Sequence, residues 1–459
     1  MFGINKDLSI HFIGIGGIGM SGIAEILIRL GYQVSGSDLT TSDVIDNLKS
    51  LGANIYQGHR EENVQDAQIV VYSSAINKEN PEYDYALKQN IPLIKRAEML
   101  AELMRLKHGI AVAGSHGKTT TTSFLAAIFN YAQFEPTHII GGVVKSLGGN
   151  AKSGKGNILI AEADESDGSF LFLNPIHSVI TNIDDDHLDH YKTRENIIKA
   201  FVDFANKIPF YGAIALSAHD ENIADHISEI KRPYITFGIE DKTPLLSDVD
   251  YLVTSIEYGV EETKFTILNE GRETHISINL LGDHNILNAL AAFAISHQII
   301  KDKELIAQGL ASFQGVSRRL EKVYDDKLLI IDDYAHHPTE IVATLSAIKK
   351  YGKRVVVVFE PHRFSRTKDF WNEFVEAFET ENEVYILPIY PASEKPIPYI
   401  DAEILVKNIN EKNNKAIFLE GYHELKNLFL KYKDHDDVVI VTMGAGPISK
   451  QVRLSLKEL

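Results

Sequence analysis

A chain of 459 residues with 44% hydrophobic and 24% charged residues has the composition of an ordinary globular protein, and its length suggests about three domains. Its 46 basic against 63 acidic residues give a net charge of −17, which argues against nucleic acid or an acidic membrane surface as partner, so any anionic ligand must be met by local positive charge. The lack of cysteine excludes disulfides and thiolate chemistry; with no basic leader and no apolar run near the ~18 residues of a membrane helix, a cytoplasmic monomer or homodimer is expected.

An apolar strand at 8–13 feeds Gly14-Ile15-Gly16-Gly17-Ile18-Gly19-Met20-Ser21-Gly22. A helix to about residue 30 follows, then a second strand at 33–38 that ends in an acid. This is the Rossmann-like pattern: a glycine turn, a helix N-terminus for a pyrophosphate, and an acid about 20 residues on for a ribose hydroxyl. Gly16, Gly17, Ile18, Gly19, Ser37 and Asp38 are therefore candidate nucleotide contacts, and the pattern alone does not separate NAD from a UDP-sugar. Strands at 69–72 and 92–94 come next. Ser73 and Ser74 stand at the carboxyl end of the first of these, where an open parallel sheet has its binding crevice. A helix at 97–106 closes the first domain near residue 107.

At 111–122 a strand runs into Gly114-Ser115-His116-Gly117-Lys118-Thr119-Thr120, and an apolar helix follows. Val112 stands where the full Walker pattern has glycine, so this is a shortened GxxGKT phosphate loop. Backbone N–H groups and the helix N-terminus meet the phosphates, Lys118 reaches the β/γ positions, and the Thr119 hydroxyl suits Mg²⁺. The strand at 157–161 ends in Glu162-Ala163-Asp164-Glu165-Ser166-Asp167. Four acids so close repel one another unless a cation or donors sit among them; Glu162 leaves the strand first and is the expected magnesium ligand. A strand at 178–183 leads to Asp184-Asp185-Asp186-His187-Leu188-Asp189-His190, which lacks the ligand count of structural zinc and marks His187 as a site residue.

Segments 250–253, 264–269 and 275–280 read as antiparallel strands. Asn285 and Asn288 then share one face of an alanine-rich helix, with amides suited to an adenine edge. One of Arg318 and Arg319 could clamp a phosphate. Strands at 328–331, 354–359, 384–387 and 438–442 alternate with helices such as 339–350 and 367–378, giving a third α/β domain. Its strand ends carry Asp332-Asp333-Tyr334-Ala335-His336-His337-Pro338 and Glu360-Pro361-His362-Arg363-Phe364-Ser365-Arg366. Arg363 and Arg366 flank a helix start, whose field disfavours cations, so a small carboxylate is the expected partner.

From residues 10–22 to Met443-Gly444-Ala445-Gly446, this ordered set of motifs resembles the Mur ligase family, most closely its L-alanine-adding branch. The resemblance implies an α/β protein of three domains. Residues 1–107 would be a Rossmann-like domain holding UDP-N-acetylmuramate, not NAD. Residues 108–314 would be a P-loop domain with added antiparallel strands holding ATP, and residues 315–459 a Rossmann-like domain that brings L-alanine and closes over both. It further implies an ATP-dependent ligase acting through an acyl phosphate, with Lys118, Glu162 and His187 catalytic. Gly114 to Thr120 would hold the phosphates, Thr119 and Glu162 one Mg²⁺ and His187 a second. Asn285 would lie at the adenine, Arg319 on the nucleotide phosphates, Asp333 on the ribose, and His362, Arg363 and Arg366 on the amino acid. Phe201 falls where sibling ligases carry a carbamylated lysine, a departure that favours the L-alanine branch; Lys199 is a possible displaced equivalent. A nicotinamide oxidoreductase would explain Gly14 to Asp38 and leave Lys118 unused.

Overall fold

Runs of Val, Ile and Leu bounded by glycine turns form the strands of three sheets in the computed structural model, which describes residues 7–73, 75–144, 149–242, 244–259, 262–381, 383–412 and 416–457. The first sheet holds β1 (Ser9–Ile13), β2 (Gln33–Asp38), β3 (Asn54–Gln57), β4 (Ile69–Tyr72) and β5 (Leu93–Lys95), ordered β3-β2-β1-β4-β5. All its pairings are parallel. The strand order reverses between β1 and β4, so the crevice of an open sheet falls at their carboxyl ends, beside the first glycine loop. Helices α1 (Ile18–Leu30), α2 (Asp43–Ser50) and α3 (Pro81–Lys88) connect these strands, α4 (Arg96–Arg105) leads from β5 to the second sheet, and Ile23, Ala24 and Leu27 of α1 pack with Ile10 and Phe12 of β1 in one core.

Glu82 of α3 is fully buried against this sheet. Its carboxylate accepts hydrogen bonds from Ser37 Oγ at 2.5 Å and Asn63 Nδ2 at 2.6 Å, and His11 Nε2 lies 3.6 Å away. Burial alone would raise the carboxyl pKa, but these partners outweigh it and hold the group below the usual carboxylate range. A folded value below the unfolded one stabilises fully above the unfolded pKa, and that contribution is lost as pH falls through the folded value. Thermal melts from pH 7 to pH 3 should therefore lose stability on the acid side, below about pH 4. Glu82→Gln should flatten that limb and destabilise at pH 7 by roughly 1–3 kcal/mol; an unchanged acid limb would exclude Glu82 as its source.

The second sheet contains β6 (His108–Ala113), β7 (Thr137–Val144), β8 (Gly149–Lys152), β9 (Ile158–Glu162) and β10 (His177–Ile180). It continues through β11 (Ala213–Ser217), β12 (Tyr234–Ile239), β13 (Tyr251–Tyr258), β14 (Thr263–Asn269) and β15 (Arg272–Ile278). Its order is β15-β14-β13-β12-β11-β10-β6-β9-β7-β8. β6 lies between β9 and β10 and is parallel to both, so three adjacent strands deliver their carboxyl ends to one edge. The helix α5 (Lys118–Tyr131), almost wholly buried, starts at that edge, and Phe124 packs on Phe313 with ring centroids 4.7 Å apart. Phe201 lies in the core between Phe170 and its neighbours while Lys199 faces solvent.

The third sheet holds β16 (Glu321–Asp325), β17 (Leu329–Asp333), β18 (Arg354–Phe359), β19 (Val384–Ile386), β20 (Ala416–Phe418) and β21 (Val438–Met443). Its order is β16-β17-β21-β18-β19-β20, parallel except for β16. The chain divides into two compact units: 1–256, 265–277 and 287–314 form one, and 257–264, 278–286 and 315–459 the other. Two local readings are corrected and one strand pair was missed. The helix expected over 367–378 is two helices, Phe364–Asp369 and Trp371–Ala377, broken where Phe370 leaves helical geometry at φ −113°, ψ 30°. The strand at 250–253, expected in an antiparallel set, pairs in parallel with β12. The antiparallel β7–β8 pair was not expected, since its glycine-rich segment lacks a clear apolar alternation. Among the described residues no helix is long and apolar enough to cross a membrane.

Candidate functional site

The first glycine loop is tied to β2 by its backbone: Gly14 and Ile15 donate their N–H groups to Ser37 O at 2.8 and 3.0 Å. Gly16 N–H donates to Asp38 Oδ2 at 2.9 Å, and the other carboxylate oxygen accepts from Thr40. Asp38 therefore braces the loop. Gly17 caps α1 without a side-chain bond, Ile18 opens the helix, and Gly19 lies in its first turn. Uncapped N–H groups at such a helix start suit an anion. The Ser37 side chain is buried and bonded to Glu82, which leaves its backbone as the part facing the loop. Ser73 follows β4, adjacent to this loop across the sheet; Ser74 lies outside the described residues.

The phosphate loop leaves β6 and is strapped to the residues after β10. Ser115 N–H donates to Asn182 O at 3.1 Å, His116 N–H to Asn182 Oδ1 at 2.9 Å, and Thr181 Oγ1 donates to His116 O at 2.5 Å. Asp184 N–H donates to Ser115 Oγ at 2.8 Å, and the Asp184 carboxylate lies 3.1 Å from His116 Nε2. Gly114 and Gly117 take the φ values +131° and +85° that let the chain turn back into α5. Gly117 caps that helix with no side-chain bond, while Thr119 and Thr120 occupy its first turn. Thr120 is buried and Thr119 is partly open.

Lys118 curls back over the loop and donates to Gly114 O at 2.6 Å, Ser115 O at 3.1 Å and Glu165 Oε1 at 2.7 Å. Burial works against the ammonium, but Glu165, Asp164 and Glu162 outweigh it, so the lysine stays charged with its pKa raised. His187, held at φ +61°, brings Nε2 within 3.7 Å of Glu165 Oε1. Tyr191 OH donates to Glu165 O at 2.6 Å, and Glu165 Oε2 is buried with no partner among the described residues. Glu162 stands beside this group at the end of β9 and accepts Gly141 N–H at 2.7 Å. Thus β6, β9 and β10 bring the cation, the carboxylates and the imidazole together. Glu165 is the member that sequence spacing did not single out.

Asn285, also buried, donates from Nδ2 to Leu281 O at 2.8 Å at the start of the helix Asp283–Ile299. Asn288 is the amide that reaches the phosphate loop: its Oδ1 accepts from Thr121 Oγ1 at 3.2 Å and packs on Gly117.

In the second unit, Asp333 at the end of β17 is buried, with Oδ2 accepting Leu320 N–H at 2.7 Å and Oδ1 accepting Ala335 N–H at 2.8 Å. It fixes two turns by its own hydrogen bonds. The Arg319 guanidinium carbon sits 5.1 Å from the centre of the Tyr334 ring, and its Nη1 is 3.8 Å from Glu340. His362 stacks on Tyr390 with centroids 5.6 Å apart and faces His336 at 5.9 Å. Its Nδ1 is buried with no partner among the described residues, and burial beside Arg366 and Arg363 brings its pKa down to about 4, so the ring is neutral. Arg363, at φ +71°, caps the helix Phe364–Asp369, which also carries Arg366. Tyr334 and His336 join this aromatic and cationic group, although only their closeness to an acidic strand end drew attention to them in the sequence.

The Mur ligase catalytic-domain model matches residues 9–108, the Mur ligase middle-domain model 112–296, and the Mur ligase glutamate ligase domain 318–446. The chain belongs to the Mur ligase family. Among curated Mur ligases, the UDP-N-acetylmuramate–L-alanine ligase of Syntrophotalea carbinolica is 45% identical over 446 residues, 96% of each chain. The protein of the same name from Geotalea daltonii is 47% identical over 443 residues, 96% of this chain and 95% of its own. The crystal structure of the UDP-N-acetylmuramate–alanine ligase of Thermotoga maritima superposes with a TM-score of 0.82 at 28% identity, over 98% of this chain and 99% of that one.

Proposed function

We propose that this Mur ligase is an ATP-dependent enzyme that joins L-alanine to the carboxylate of UDP-N-acetylmuramate in the cytoplasm, releasing ADP and phosphate, as a step of peptidoglycan precursor synthesis. The observation that carries the reading is likeness over nearly the full length to ligases of that name, at 45 and 47% identity. On this reading residues 1–107 hold the UDP-sugar, 108–314 the ATP and 315–459 the amino acid.

A carboxylate is a poor electrophile, so its oxygen first takes the terminal phosphate of ATP and ADP leaves. An uncharged amine then attacks the acyl carbon, and phosphate departs. Bringing two anions together is chiefly a matter of position and charge. With Ser115 and His116 N–H groups engaged by Asn182, the phosphates fall to the first-turn N–H groups of Gly117 to Thr120 and to Lys118, freed from Glu165. A hydroxyl on Thr119 and a carboxylate on Glu162 are oxygen donors that suit Mg²⁺, His187 is assigned to a second ion by the family resemblance, and a Cβ added at Gly141 would come within 2.5 Å of Glu162 Oε2, so glycine keeps that carboxylate accessible. When bound, magnesium would offset charge on the phosphate oxygens. Asn285, Arg319 and Asp333 are assigned to the adenine, phosphates and ribose, and His362, Arg363 and Arg366 to the amino acid.

An ADP-release assay crossing UDP-N-acetylmuramate with a panel of amino acids tests the whole reading. Release dependent on both the sugar acid and L-alanine is expected, and NADH binding without ATP consumption would refute it. In the same assay Arg366→Ala should raise KM for L-alanine about tenfold or more through loss of a charge-assisted contact, with KM for the sugar nucleotide unchanged.

A further inference from the structure

Arg96 is the first residue of α4, a place where a cation opposes the helix field. Its side chain crosses to a second helix start. Nη1 lies 2.7 Å, and Cδ 3.2 Å, from where a Cβ on Gly19 would be, so the guanidinium rests on the first turn of α1. That turn has no side-chain cap and no acidic residue. The start of α4 is compensated by Glu98, which accepts the Lys95 N–H at 2.9 Å, whereas the start of α1 meets the guanidinium, itself held by a hydrogen bond from Nη2 to Asp164 Oδ2 at 3.2 Å. The bond is one-sided, since Asp164 Oδ1 accepts Ser166 N–H. The Asp164 side chain is 45% exposed, a counter-ion that a stronger anion can displace. With Nη2 on Asp164, Nη1 is the donor turned to the first turn of α1, and release of Asp164 would free Nη2 beside it as the second N–H of a phosphate-gripping pair.

We propose that Arg96 is a further substrate-binding residue, donating across the first turn of α1 to the diphosphate of the nucleotide sugar, with Asp164 holding it in place beforehand. The assignment rests on the reading of the first glycine loop as the sugar-nucleotide site. Glycine is required at position 19 because any side chain there displaces the guanidinium. The Asp164 charge also helps to keep Lys118 protonated, so the counter-ion of Arg96 acts on the phosphate loop as well.

Calorimetric titration of wild type, Arg96→Ala, Gly19→Ala and Asp164→Asn with UDP and with UDP-N-acetylmuramate tests this, with KM for ATP measured alongside. Arg96→Ala should weaken both uridine ligands by about tenfold or more and leave KM for ATP within about twofold. Gly19→Ala, which keeps the charge and favours the helix, should weaken both in the same direction and covers the case in which Arg96→Ala fails to fold. Asp164→Asn should leave UDP affinity equal or greater. Wild-type UDP affinity in Arg96→Ala and Gly19→Ala, loss confined to the carboxylate-bearing ligand, or an equal loss in Asp164→Asn, which would make the ion pair a tether, would each overturn the assignment. Failure of the wild type to bind either ligand would instead overturn the sugar-nucleotide reading of the loop.

Discussion

Lys118→Ala is expected to abolish ADP release while UDP-sugar affinity stays within about twofold of wild type, because Lys118 projects from the phosphate loop and directs its hydrogen bonds to Gly114, Ser115 and Glu165. Losing one such charge from a preorganised site lowers kcat by about 100- to 1000-fold, and here the lysine also offsets the repulsion of two reacting anions. The substitution has a second consequence. Glu165 is only 3% exposed, so removing its partner strands a carboxylate in the interior at a cost of about 3–5 kcal/mol unless the group takes up a proton. Lys118→Ala should therefore lower Tm as well as activity, and adding Glu165→Gln should restore most of the Tm and none of the ADP release. Restored activity in the double variant would show that the lysine neutralises Glu165 and does nothing for the phosphate. A fall in UDP-sugar affinity matching the fall in ADP release would contradict the separation of the two sites.

Both glycine loops and the lysine were legible in the sequence because backbone geometry dictates them: a chain that must reverse at φ values closed to other residues leaves glycine at fixed spacings. The strand ends were legible for a similar reason, since apolar runs halt where the sheet edge meets solvent. What the sequence left open was which neighbour of a strand end turns inward. Among Glu162, Asp164, Glu165 and Asp167, spacing favours Glu162, yet it is Glu165 that lies 2.7 Å from Lys118, because the chain turns only after Glu165, at Ser166 and Asp167, and the second glutamate is buried with its carbonyl bonded to Tyr191. Asn288, one turn beyond Asn285, packs on Gly117, and periodicity placed both on one face without saying what each meets. Ser37 and Asp38 likewise sit where expected, but Ser37 is bonded to the buried Glu82, itself 45 residues away, a pairing no local pattern announces.

Gly114→Ala is expected to lower kcat/KM for ATP by about 100-fold or more, with Tm reduced as well. Position 114 is constrained twice over. Its φ of +131° is closed to a side chain, and an added Cβ would stand 2.0 Å from Thr181 Oγ1 and 3.0 Å from Thr181 N. The threonine hydroxyl can rotate, though it would then release His116 O, but the Thr181 backbone belongs to the strap that holds the loop against β10. Relief therefore requires the loop itself to move, and displacement of about 1 Å in a site built on position is enough for such a loss. Gly117→Ala provides the contrast. There the φ is +85° and the close atom is Asn288 Oδ1 at 2.4 Å, the end of a side chain. Truncating that side chain in a Gly117→Ala/Asn288→Ala double variant should recover part of the ATP affinity lost in Gly117→Ala, leaving only the backbone strain of about 1–2 kcal/mol. Thr181→Ala should give no comparable rescue of Gly114→Ala, because the backbone nitrogen remains. Equal rescue at both positions would mean that side-chain crowding, and not the fixed path of the loop, makes glycine necessary at 114.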